Sequence, residues 1–249
     1  MSTPAASLPG GTSLSESARI LNTFIAPSKT FEDLRRNSSW WVPWVLISIS
    51  ALVFVYTVQV KVGFEQVVRN EITKSPRSQA QLERVPEEHR AERLEGITKF
   101  TGAVSYGSPL TGLIAFVIIA GVLLATFNFG MGASIPFKTS LAVVTYANLP
   151  TVLYALLGVL SLIAGVNPEG FNIKNPVATN PAYFMDPAGN HFLYGMASAL
   201  DVFVVWSIVL MAIGYASVSK LKRSTTFAVI VGWYVAYKLV WSGLAALFS

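Results

Sequence analysis

Five stretches of this chain are too long and too uniformly apolar for a water-soluble domain: 42–60, 109–129, 141–166, 194–218 and 227–248. A run of at least about 18 apolar residues, wound as a helix, is long enough to cross the hydrocarbon of a bilayer. In lipid every backbone N–H and C=O must be paired within the chain, and barrel strands would alternate and be shorter, so continuous runs call for helices. The expected fold is an all-α polytopic transmembrane bundle of five helices. Composition agrees: 53% of the residues are hydrophobic and 12% charged, about half the charged share of an ordinary soluble domain.

The segments between the runs set the organisation. Residues 1–41 are expected to form a disordered start, 1–11, followed by cytoplasmic interfacial helices, and 42–249 the membrane domain. Ile20, Leu21, Phe24 and Ile25 recur at helical spacing before Pro27, and Phe31 and Leu34 follow it. Two short amphipathic helices, lying in the interface or packed on the bundle's own loops, account for that pattern. The loop 61–108 carries eight basic and seven acidic residues; its mixed signs suit a solvated helical hairpin with i,i+4 pairs, broken near Pro86. Four prolines in 167–193 predict an irregular cover, whereas the short loops 130–140 and 219–226 join antiparallel neighbours. Trp40, Trp41, Trp44, Tyr194 and Trp241 sit where spans should begin or end. Pro150, inside the third run, removes a backbone donor and predicts a bend there.

Orientation follows from Arg35, Arg36, Lys138, Lys220, Lys222 and Arg223, which five crossings place on one side. Basic residues near span ends mark the cytoplasmic side, so the amino terminus is expected inside. No signal-peptide pattern precedes the first run, which is expected to be retained.

Chemistry is sparse. The chain has no cysteine, which removes thiol nucleophiles and thiolate metal sites. Neither His89 nor His191 lies in an HExxH, and there is no phosphate-binding GxxxxGK[ST] and no GxSxG. No enzyme, cofactor or metal centre is expected, and no basic stripe with interleaved aromatics points to nucleic acid. Two charges do fall within apolar runs, Asp201 and Lys238, where a bare charge costs about 2.5 to 3.5 kcal/mol at mid-membrane. If the fourth helix begins near Phe192, Asp201 lies about 14 Å from its outer end and Lys238 about 15 Å from Phe248, so the two can pair. Such a pair is either a structural clasp or part of an ion pathway; the absence of further aligned acids or histidines favours the clasp. Asn128, Thr145, Tyr146 and Asn148 supply polar groups for interhelical hydrogen bonds, and Gly121/Ala125 and Gly232/Ala236 fit a small-xxx-small spacing.

Three segments carry a family resemblance. Residues 20–44, ILNTFIAPSKTFEDLRRNSSWWVPW, with Pro27, Thr30 and Phe31, lead into the first span; 143–153, VVTYANLPTVL, place Tyr146 before Pro150; and 201–216, DVFVVWSIVLMAIGYA, space Trp206, Leu210 and Gly214. In this order the chain resembles the Yip family of membrane proteins, the Ypt/Rab-interacting type, and specifically its bacterial branch. The resemblance implies a five-span protein with a cytoplasmic amino terminus, favouring a bacterial inner membrane. The small-residue helix faces, the large loop and the lack of an active-site motif point to a non-enzymatic scaffold or adaptor, for which the resemblance adds membrane organisation or trafficking as the setting. Its partners would be the bilayer and another membrane protein or a second copy, with a Rab-type GTPase expected only in a eukaryote. The competing reading is a small-solute or ion transporter or channel using Asp201 and Lys238.

Overall fold

The computed structural model describes residues 13–248; the disordered start expected over 1–11 lies outside them. Among the described residues all regular structure is helical. Helix α1 (Glu16–Ile25) starts where the Ser15 hydroxyl accepts the Ala18 N–H at 3.2 Å, and it stops before Pro27, which disfavours helical backbone in the residue ahead of it. Pro27 in turn opens α2 (Pro27–Asp33) at the position where its missing N–H is harmless.

The first crossing helix is α3 (Trp41–Lys61). Beyond it the expected hairpin is built from three helices: α4 (Phe64–Thr73), α5 (Pro76–Glu83) and α6 (Glu87–Tyr106). Helices α4 and α6 form its two arms, and α5 fills the connection. Pro86 separates α5 from α6, where the sequence placed a break. Gly107 keeps right-handed helical backbone (φ −75°, ψ −2°), so α6 passes almost directly into α7 (Ser108–Met131). The Trp44 indole N–H donates to the Pro109 carbonyl at 3.3 Å, and Phe64 packs edge-on against Tyr106 with centroids 6.0 Å apart. The start of α7 is therefore tied to α3 and the end of α6 to α4, and this loop is less detached than its charge suggested.

Gly132 closes α7 in the left-handed conformation (φ 69°), with the Ala133 N–H returning to Phe127. The third run starts earlier than expected, at Phe137, and divides into α8 (Phe137–Ala147) and α9 (Pro150–Ile163). The interruption at Asn148–Leu149 lies immediately before Pro150, where the bend was predicted. The fourth run departs more. A short α10 (His191–Ser198) precedes a break, and the spanning helix α11 (Val202–Ser219) starts only after Asp201. Helix α12 (Arg223–Phe248) completes the chain. Five segments are long and apolar enough to cross a membrane: 41–61, 108–131, 137–163, 202–219 and 223–247.

Helices α8 and α11 form the centre. Residues Thr139 to Ala147 are all buried, and α11 buries eight residues, including Leu210, Gly214 and Tyr215. Tyr215 stacks on Phe127 at 4.8 Å and meets the Ser140 hydroxyl at 2.5 Å, while Ser140 donates to the Ala120 carbonyl at 2.8 Å. Three helices are thus tied at one point by groups whose polar atoms satisfy one another.

Candidate functional site

The residues singled out from sequence fall into two places. One is the start of α11. Asp201 is its N-cap: Oδ1 accepts the N–H groups of Phe203 (2.9 Å) and Val204 (3.3 Å). Oδ2 accepts the Thr179 hydroxyl and, at 3.2 Å, the Asn180 amide. Asn180 and Asn175 exchange two further amide bonds, and the Val202 N–H donates to the Thr179 carbonyl at 3.1 Å. A carboxylate offers about four acceptor positions, and here four donors take them. Asp201 thereby ends the apolar run, satisfies orphan N–H groups of a helix start, and pins the Pro-rich loop onto the bundle.

The expected ion pair is absent from this arrangement. No ion pair among the described residues joins Asp201 to Lys238. The Lys238 ammonium instead lies 5.9 Å from the ring centroid of Tyr234, one turn back, and the Tyr234 hydroxyl donates to the Ala199 carbonyl at 2.9 Å. The correction has a local cause: the backbone donors of α11 lie closer to the carboxylate than a lysine on the next helix, and Thr179 and Asn180 supply the rest.

The second place is the seat of α1 and α2 on α8 and α11, where Thr30, Phe31, Tyr146, Trp206 and Gly214 meet the amino-terminal helices. Phe31 and Leu34 are fully buried. A Cβ on Gly214 would lie 2.5 Å from Val143 Cγ1 and 3.0 Å from the Phe31 ring, so only glycine lets α2, α8 and α11 approach this closely. Phe24 packs edge-on to Trp206 at 5.6 Å. Leu210 is 2% exposed. The Thr30 hydroxyl donates to the Arg19 carbonyl at 2.9 Å, and Pro150 is buried at the start of α9.

Sequence reasoning missed the polar heart of this seat. Arg19 is fully buried: its Nε meets Asp33 at 2.7 Å and its Nη1 meets Glu16 at 3.1 Å. The Tyr146 hydroxyl donates to the other oxygen of Glu16 at 2.6 Å. Burial opposes the guanidinium charge, but Asp33 and Glu16 outweigh it and hold the group above its ordinary value. The available signal was the spacing of Arg19 and Thr23, which share one buried face of α1, opposite to exposed Leu21 and Ile25.

Beyond α3 a third polar group ties the loop to the charged layer. The Asn70 amide donates to the carbonyls of Pro168 (2.7 Å) and Phe171 (3.0 Å), Lys74 reaches Phe171, and Lys174 pairs with Glu71. Burial, with Lys174 nearby, pushes the Lys74 ammonium below the usual lysine value against the pull of Glu71. Among the described residues no group of three or more His, Asp or Glu is placed to hold a metal ion.

A family model described as Yip1 domain matches residues 21–244, from α1 to the last turns of α12. The chain belongs to the Yip1 domain family. With five apolar helices it is an integral, multi-pass membrane protein. No curated protein and no solved structure gives a significant match. The matched range takes in Asp201 and the Phe31–Gly214 contact and begins just after Arg19.

Proposed function

We propose that this Yip1 domain protein is a non-enzymatic membrane scaffold or adaptor that presents two helical platforms, one on each side of the bilayer, to another membrane protein or to a second copy. The observation that carries this reading is how its buried charges are used. Asp201 caps a helix with its acceptor positions filled, and Arg19 fastens α1 and α2 to the bundle. Both act on the chain itself, as expected of a rigid frame for partners. Crosslinking in native membranes followed by mass spectrometry should recover a repeated membrane-protein or self contact through α4–α6 or α1–α2; recovery of monomer alone would sink the proposal.

The charge distribution supports an amino terminus in the cytoplasm. On that side lie Arg19, Lys29, Arg35, Arg36, Lys138, Lys220, Lys222 and Arg223 against Glu16, Glu32 and Asp33; the remaining ten basic and ten acidic residues, Lys238 and Asp201 among them, balance. The formal excess of +5 thus falls wholly on the amino-terminal side, as the positive-inside rule asks of a cytoplasmic face. A bacterial inner membrane suits a chain of this design with its large charged layer outside. The native sequence contains no cysteine, so single substitutions report cleanly. An impermeant maleimide should label Ser78→Cys in intact cells and Lys29→Cys only after lysis; the reverse would invert the topology.

A second reading, a small-solute or ion transporter or channel around Asp201 and Lys238, draws on the interruptions at 148–149 and 199–201, since transporters often build sites at broken helices. Protein in liposomes that moved ions, and lost that flux in Asp201→Asn, would put this reading first.

A further inference from the structure

A cleft of about 660 Å³ opens on the amino-terminal side between the end of α2 and the junction of α11 with α12. It is lined by Arg35, Arg36 and Arg223 with Glu32, and by Ala216, Ser217 and Leu221. Ala216 and Ser217 belong to the last turn of one candidate span, and Arg223 is the first residue of the next, so the cleft lies level with span ends, where lipid headgroups meet protein. The Arg223 guanidinium also donates to the Ser28 hydroxyl of α2 at 3.0 Å, which holds the two walls at a set distance.

The geometry points to a binding site for the phosphodiester headgroup of an anionic membrane phospholipid. Three guanidiniums against one carboxylate leave the cleft net positive, and the planar fork of arginine matches two phosphate oxygens at once. Ala216 and Leu221 add an apolar edge beside the arginines, and the place of the cleft at the span ends sets it where headgroups lie. With the proposed topology the formal excess of +5 lies on this face, so anionic lipid is drawn toward the cleft before it docks. This inference does not depend on the adaptor reading; it concerns lipid, and its test involves no partner protein.

The full chain is reconstituted in nanodiscs of phosphatidylcholine alone and of an equimolar mixture with phosphatidylglycerol, and lipid retained on release is read by native mass spectrometry. Wild type should keep phosphatidylglycerol in preference to phosphatidylcholine. Arg35→Gln/Arg36→Gln and, separately, Arg223→Gln should each lower that preference roughly tenfold, the size of one lost charge-assisted bond. Arg77→Gln/Arg84→Gln, on the opposite side, should leave it unchanged. Arg223→Lys, which retains charge but not the fork, should fall between, and this variant answers the question if Arg223→Gln does not fold. Raising salt from about 50 to 500 mM should weaken retention by screening. Equal retention of the two lipids by wild type, or unchanged preference in the folded variants, would overturn the proposal. So would full displacement by millimolar inorganic phosphate, which would assign the cleft to a free anion.

Discussion

The two sides of this protein are held by different means. On the amino-terminal side α1 and α2 are seated on α8 and α11 through fully buried Phe31, Leu34 and Arg19, with a buried ion pair at the centre. On the opposite side α4, α5 and α6 enclose a cleft of about 740 Å³, between Val67, Ile72, Leu82, Val85 and Ile97, and their charges are mostly in water. The contrast teaches where sequence change is felt. A charge sealed in a packed seat becomes costly once its partner is removed, whereas one in solvent is exchanged for hydration.

The largest expected effect is therefore at Arg19. Arg19→Met leaves Asp33 buried without its cation, and thermal unfolding in detergent should show a loss of about 3 to 5 kcal/mol. Arg19→Met/Asp33→Leu should recover much of it; a double variant as weak as the single would mean that the seat needs the ion pair itself. Next comes Gly214→Ala, whose added Cβ meets Val143 and Phe31 and should cost about 1 to 3 kcal/mol by overpacking. Phe31→Leu in the same chain should relieve part of that loss, and independence of the two would refute the close approach as its cause.

At the far end of α11, Asp201→Ala should cost about 0.5 to 2 kcal/mol as a lost N-cap. Lys238→Ala should combine with it additively to within about 0.5 kcal/mol, because the residues are not paired. A strong rescue in the double variant would restore the ion pair expected from sequence. Smallest of all, Arg69→Ala, which removes an exposed i,i+4 pair with Glu65, should change stability by no more than about 0.5 kcal/mol.

The spans were legible because a bilayer imposes one demand, length of apolar helix, that can be counted along a chain. Their ends were less so. Tyr194 and Trp206 read as one run, and only a carboxylate bonded to backbone N–H groups divides them at Asp201. The interruption before Pro150 was visible because proline acts locally. The seat of α1 and α2 was visible only as a pattern of apolar residues, since its polar partners lie far apart: Tyr146 and Glu16 are 130 residues apart in the chain. Nothing local announces that Arg19 turns inward. The resemblance marked Phe31 and Gly214 without a reason, and the structure supplies one in the contact they share.

The seat also sets an order of events during synthesis. Helices α1 and α2 leave the ribosome before the groove that seats them, which includes α11, and Ser28 waits for Arg223, 195 residues later. At about 5 to 20 residues per second that delay is roughly 10 to 40 s. Through this interval Arg19 and Phe31 lack the cavity that buries them. These early helices are among the last to settle, so their docking reports that the fourth crossing is in place.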